Sequence, residues 1–246
     1  MADEPIDLRE LGPDFVSNPY PVYAQLRERG PVHRVILPNG GEAWLVVGYE
    51  EAKAALAHPA LSKDQGRAKR EYKERELGDP EAAQSPFGRL MLTVDPPDHT
   101  RLRRLVSKEF TPRRVEALRP RIQQITDELL DRFPEEGSAD LIESFAFPLP
   151  TSVICELLGV PFHDSERFRG WFSRLVAPEP DDPEGNFAAI QHLLVYMPEL
   201  IERKRDNPGD DLLSALIRTT DEDGDRLTPD ELQSMAFLLL LAGHET

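Results

Sequence analysis

The residues whose spacing says most about chemistry lie at the end of the chain. Leu238, Leu241, Ala242 and Glu245 recur at i, i+3, i+4 and i+7, with Thr246 beside them. One helix face therefore runs from apolar through small to polar. The helix that carries it, Pro229–Thr246, opens with Thr228-Pro229-Asp230-Glu231. Thr228 caps, Pro229 suits the first helical position and Glu231 completes a capping box. Its middle, Leu232 to Leu241, is apolar on every side after the first turn, which predicts passage through a core. Gly243 breaks that pattern at a cost of about 1 kcal/mol relative to alanine. A carboxylate such as Glu245 costs more unless it is paired or solvated. Sequences keep such conflicts mainly where function needs them. The Thr246 hydroxyl can bond back to the Ala242 carbonyl and bend the helix. Two outcomes fit. One is a groove for a bound molecule, with a proton donor and a carboxylate at its edge and no bulk at Ala242 and Gly243. The other is a helix that leaves the core for a polar end.

A second constellation lies near the middle of the chain, in Val94-Asp95-Pro96-Pro97-Asp98-His99-Thr100-Arg101-Leu102-Arg103-Arg104-Leu105-Val106. The prolines open a helix with Asp95 as its cap, and Leu102, Leu105 and Val106 form its apolar face. His99 and Arg103 are four apart and share another face, while Arg101, Arg104 and Lys108 add charge. Cations near a helix start oppose the dipole. Two donors converging on one spot suit a carboxylate or a phosphate. The alternative is a solvated basic face, or one paired with the protein's own acids.

These residues need elements to hold them. Tyr20–Arg29 reads as a helix ended by Gly30-Pro31. Val32–Leu37 and Ala43–Val47 read as strands joined through Pro38-Asn39-Gly40-Gly41, a β-hairpin, followed by a short helix over Glu50–Ala57. Gln65 to Gly88 reads as a flexible surface loop. From Pro96 onward the pattern is helical: Pro96–Phe110, Pro112–Phe133, Thr151–Leu158, His163–Val176, Asn186–Arg205, Asp211–Thr219 and Pro229–Thr246. The fold class is mainly α with a small β-hairpin region. The expected organisation is one incomplete domain over 1–246: a helix and hairpin region at 1–64, a flexible loop at 65–92, and a helical region at 93–246 ending mid-helix.

Composition narrows the partners. Apolar residues make up 39% of 246 residues and the formal net charge is -16, which argues against general nucleic-acid or anionic-membrane binding. The single cysteine, Cys155, permits no intrachain disulfide and points to a reducing cytoplasm. The acidic N-terminus lacks the basic and apolar regions of a secretory leader, and no apolar run is long enough to span a bilayer. No metal-ligand spacing is present, since one cysteine and six scattered histidines make no cluster. His163 and His192 stand alone. Asp221, Asp223 and Asp225 imitate the start of a calcium loop, but Arg226 stands where that loop needs glycine and Leu232 where it needs glutamate. There is no phosphate-binding glycine loop and no nucleophile elbow.

Taken together, these stretches resemble the cytochrome P-450 superfamily of heme monooxygenases, and most of all its soluble bacterial members that tailor macrolides and other polyketides. The resemblance rests on Asn18-Pro19-Tyr20-Pro21-Val22-Tyr23, Trp44-Leu45-Val46-Val47-Gly48-Tyr49, Asp95 to Arg103, Pro148-Leu149-Pro150 through Pro161, and Ala242-Gly243-His244-Glu245-Thr246, in that order along the chain. It implies the N-terminal part of that fold, cut within the long helix over the heme. His99 and Arg103 would bind the propionates of heme b, and Glu245 and Thr246 would be the acid–alcohol pair that delivers protons to dioxygen. Ala242 and Gly243 would leave room for that dioxygen. Leu238 and Leu241 would face an apolar substrate, with Leu92 and Val176 from flanking segments. Electrons would come from a ferredoxin and its reductase, an acidic ferredoxin suiting the basic helix. The family's iron-ligating cysteine is expected beyond residue 246, so no metal ligand is assigned here; Cys155 sits in Val153-Ile154-Cys155-Glu156-Leu157-Leu158 without a glycine-rich loop and reads as a core residue. The expected function is that of a heme-thiolate monooxygenase present as a fragment. The alternative is a non-catalytic truncated helical protein that acts, if at all, through partner binding.

Overall fold

The computed structural model describes residues 4–64, 90–133, 137–220 and 224–245, without the side chains of His244 and Glu245. It divides into two compact units, Met1–Ala83 and Gln84–Thr246. The loop expected over 65–88 lies outside the described residues, as do Asp221 and Asp223 of the calcium-like run.

The first unit is built on a three-stranded sheet. Strands β2 (Val32–Ile36) and β3 (Glu42–Val46) form the antiparallel hairpin that the sequence predicts, Val35 opposite Ala43. Its turn closes as Leu37 N–H donates to the Gly41 carbonyl at 2.7 Å and Gly41 N–H donates to Asn39 Oδ1 at 2.9 Å. Gly40 has φ +84, which a residue with a side chain would resist. A strand not foreseen, β1 (Ile6–Asp7), pairs parallel with β2. It is two residues long and carries no periodicity to read. Helix α1 (Gly12–Ser17) was likewise unforeseen, whereas α2 (Tyr20–Arg29) and α3 (Tyr49–Ala57) match expectation closely. His33 Nε2 donates to the carbonyls of Leu26 and Gly30 at 2.9 and 2.8 Å, tying the end of α2 to β2.

The second unit is helical: α4 (Asp98–Ser107), α5 (Pro112–Ala117), α6 (Arg119–Leu130), α7 (Pro148–Leu157), α8 (Phe162–Val176), α9 (Pro183–Asp206), α10 (Leu212–Arg218) and α11 (Pro229–Glu245). The single helix expected over Pro112–Phe133 is two. Pro120 lacks the N–H that would continue the ladder, so it occupies the first turn of α6 and the chain breaks at Leu118. Helix α7 starts three residues earlier than expected, because Pro148 and Pro150 are tolerated in a first turn. Before it, Ile142–Ala146 forms one π-helical turn that no sequence signal announced. Asp95 is not the cap of α4. The helix begins at Asp98 after Pro97 without a side-chain cap, and it is the Asp95 backbone carbonyl that accepts from His99 N–H at 3.0 Å.

Helix α11 runs through the core as its composition requires. Leu232, Met235, Ala236, Phe237 and Leu240 are buried together with Leu105 of α4, Ile154 and Leu158 at α7, Phe168 and Phe172 of α8, and Met197 and Leu200 of α9. Its capping box is formed: Glu231 N–H donates to Thr228 Oγ1 at 3.2 Å and Thr228 N–H donates to Glu231 Oε2 at 2.9 Å.

Candidate functional site: helices α4 and α11

Three elements of the second unit frame the candidate site. The short 3-10 turn Met91–Thr93 packs against both α4 and α11 and so joins them. Helix α4 buries Leu102, Leu105 and Val106, which directs the 99/103 face away from the core. On that face His99 is half-buried and Arg103 exposed. Neither side chain has a hydrogen-bond or ion-pair partner among the described residues. Their neighbours differ. Arg101 donates to Asp225 at 3.0 Å and to Glu231, and Lys108 donates to the Thr220 carbonyl at 2.9 Å. Arg104 is engaged as well. Self-pairing thus accounts for the rest of the basic cluster and, among the described residues, leaves the i, i+4 pair open, with donors able to receive an anion.

On α11, Leu238 and Leu241 are half-buried and Ala242 is exposed, so the face drawn from sequence is the face left uncovered. Glu245 continues the helix, its side chain outside the description, and Thr246 lies outside the described residues. The groove is narrower than expected. A Cβ on Gly243 would meet Ile154 of α7, its Cγ1 at 2.8 Å. Gly243 therefore has the physical role of letting α11 approach α7, and Ala242 beside it is exposed. Leu92 is exposed on the 3-10 turn, and Val176, the last residue of α8, is half-buried. Val176 and Leu238 border the same apolar core.

Cys155 is buried on α7, and burial pushes its thiol up to about 12. It packs in the core with Ile154 and Leu158, as a small apolar group does. Among the described residues no group of three or more His, Cys, Asp or Glu side chains could hold a metal ion. Asp225, one of the calcium-like acids, is committed to Arg101. No helix among the described residues is long and apolar enough to cross a membrane. A cavity of about 390 Å³ opens among α5, α6, α7 and α10, beside Phe110, Leu118, Ile122 and Leu212. None of the residues named above for heme, oxygen or substrate lines it.

The model of the cytochrome P-450 family matches residues 24–176. The chain belongs to the cytochrome P-450 family. Its relatives in that family include the monooxygenase PikC of Streptomyces venezuelae, 51% identical over 243 residues, which cover 98% of this chain and 56% of PikC. The 6-deoxyerythronolide B hydroxylase of Saccharopolyspora erythraea is 50% identical over 236 residues, 92% of this chain and 56% of that enzyme. Among solved structures, the ligand-free P-450 monooxygenase TamI superposes with a TM-score of 0.81 at 46% identity, over 100% of this chain and 56% of its own. The chain thus spans about half the length of the relatives it matches. The fold so matched is the N-terminal part of the P-450 architecture, mostly helical with a small sheet.

Two features of this P-450 chain were beyond sequence reasoning. The Arg101–Asp225–Glu231 tie joins residues 124 and 130 positions apart. The buried Asp164 of α8 accepts from Tyr196 Oη at 2.9 Å and Arg203 Nη1 at 3.3 Å on α9, and from Arg167 Nη2 at 2.5 Å. The capping box was the one local signal pointing to Glu231. For Asp164 there was none.

Proposed function

We propose that this chain is the front part of a heme-thiolate monooxygenase that hydroxylates a large apolar small molecule of the macrolide or polyketide class. The open His99–Arg103 pair on α4 carries the proposal, since two unpartnered donors on one face fit the carboxylates of a heme propionate edge. The relatives support the substrate class: one acts on 6-deoxyerythronolide B and another belongs to polyketide biosynthesis. Bound heme b would supply an iron centre able to use dioxygen and two electrons for insertion of one oxygen atom into a C–H bond.

The chain's own residues have separate tasks. His99 and Arg103 hold the heme edge. Leu238 and Leu241 present apolar surface to the substrate, with Leu92 and Val176 at its margins. Ala242 leaves space for dioxygen, while Gly243 admits the close packing that places this turn. Glu245 and Thr246 hold and pass the two protons that O–O cleavage consumes, without admitting bulk water. Cys155 is not the iron's thiolate, so that ligand belongs to the remainder of the whole enzyme. A ferredoxin and its reductase would supply electrons, and the cytoplasm is the compartment proposed.

The test is the carbon monoxide difference spectrum of the reduced whole enzyme, with Arg103→Leu beside it. A red-shifted thiolate-type Soret band, with heme released about tenfold faster in the variant, is the expected result. A protein that takes up no heme, or an Arg103→Leu variant that keeps it as tightly as before, would overturn the reading.

A further inference from the structure

Helix α4 carries cations on two faces, and one of them is committed within the chain. Arg101 and Lys108 are seven residues apart and share a face about 10 Å long, while His99 and Arg103 lie roughly half a turn round the axis from it. Arg101 Nη1 donates to Asp225 Oδ2 at 3.0 Å and Nη2 donates to Glu231. Lys108 Nζ donates to the Thr220 carbonyl at 2.9 Å. Just past the helix, Glu109 Oε1 accepts from the Thr219 hydroxyl at 2.6 Å. Every one of these partners lies between Thr219 and Glu231, the segment that leads into α11. Glu231 serves two elements at once. Its Oε2 accepts from Thr228 N–H in the capping box, and its Oε1 receives Arg101.

Apolar packing through Leu102, Leu105 and Val106 settles which side of α4 meets the core, but it is non-directional and leaves the helix's exact roll less sharply defined. Hydrogen bonds are directional, and a planar guanidinium gripping two carboxylates is strongly so. We infer that Arg101 is a positioning residue for heme. Its grip on Asp225 and Glu231 sets the roll of α4 and ties it to the first turn of α11, so His99 and Arg103 face the site that α11 borders. This rests on the reading above that His99 and Arg103 receive the propionates.

The whole heme-loaded enzyme tests it, by the rate of heme transfer to excess apomyoglobin and by the propionate bending modes in the resonance Raman spectrum. Arg101→Leu should release heme about tenfold faster than the parent, and shift those modes as Arg103→Leu does. Arg101→Lys, which keeps the charge but reaches one carboxylate, should recover part of the loss. Glu231→Gln should act in the same direction, and the Arg101→Leu/Glu231→Gln pair should be no worse than the stronger single change. A lower melting temperature with unchanged release and unchanged modes would make Arg101 a structural strut and overturn the inference. If Arg103→Leu itself leaves heme release unchanged, the propionate reading fails first and the inference falls with it. If Arg103→Leu loses heme and Arg101→Leu does not, only the inference fails.

Discussion

Two arginine clusters in the helical unit have opposite characters. Around Asp164, on α8 and α9, the two arginines that reach the carboxylate are spent within the chain. The carboxylate is 2% exposed, and Arg167, Arg203 and the Tyr196 hydroxyl converge on it. Arg167 also lies over the Trp171 and Tyr196 rings, and Arg203 over Tyr196. On α4 the saturation stops short. Arg101 is held by Asp225 and Glu231, while His99 and Arg103, on the far side of the same helix, have no partner among the described residues. A cluster that satisfies itself clamps helices together. The α4 cluster leaves two donors of one helix face open, and on the function proposed above they meet an external anion. The contrast turns on pairing, since both regions look equally basic in sequence.

The comparison breaks most visibly at Asp164. Asp164→Ala should cost about 2 kcal/mol of stability by denaturant unfolding, because it strands the buried Tyr196 hydroxyl and frees two guanidinia that water can partly solvate. A loss under 1 kcal/mol would make that cluster as dispensable as an exposed one.

The next effect is on pH dependence. Burial raises the Asp164 carboxyl, but the Tyr196 hydrogen bond, then Arg167 and Arg203, outweigh it and hold the group below the ordinary 3.8. The folded value lies below the unfolded one. The stabilisation is therefore fully present above 3.8 and is lost as pH falls through the lower, folded value. Asp164→Asn should flatten the acid limb of stability against pH, measured by circular dichroism between neutral and strongly acidic pH. An unchanged limb would remove Asp164 from the clamp.

Tyr196→Phe removes one charge-assisted hydrogen bond while keeping the ring under Arg203, and should cost about 1.5 kcal/mol in the same measurement. The smallest effect belongs to α4. Arg103→Leu should change the stability of the heme-free protein by no more than about 0.5 kcal/mol, since it gives up no bond within the chain. A larger loss would show that Arg103 has a structural partner and would erase the contrast.

How much was legible in advance differed by element. Helix α2 and the β2–β3 hairpin follow from local signals, a Gly-Pro stop and a Pro-Asn-Gly-Gly turn, and they appear close to the residues expected. The start of α11 was legible to the atom, because a capping box is a contact among four consecutive residues. Strand β1 was not, since two residues carry no periodicity and gain their conformation only from pairing with β2. The break at Leu118 follows from Pro120, a local signal that the single helix expected over Pro112–Phe133 left out of account.

The sequence by itself determined the helical class, the polar end of an otherwise apolar last helix, and the His99–Arg103 face, because each depends on the 3.6-residue period and on neighbours within one or two turns. The tertiary structure alone decided which cations are free. Asp225 and Glu231 stand more than a hundred positions from Arg101, and Tyr196 and Arg203 more than thirty from Asp164. It also decided that Gly243 answers to Ile154, a residue on another helix. Pairing and close approach are properties of folded surfaces, and one-dimensional spacing carries them only within a helix or a turn.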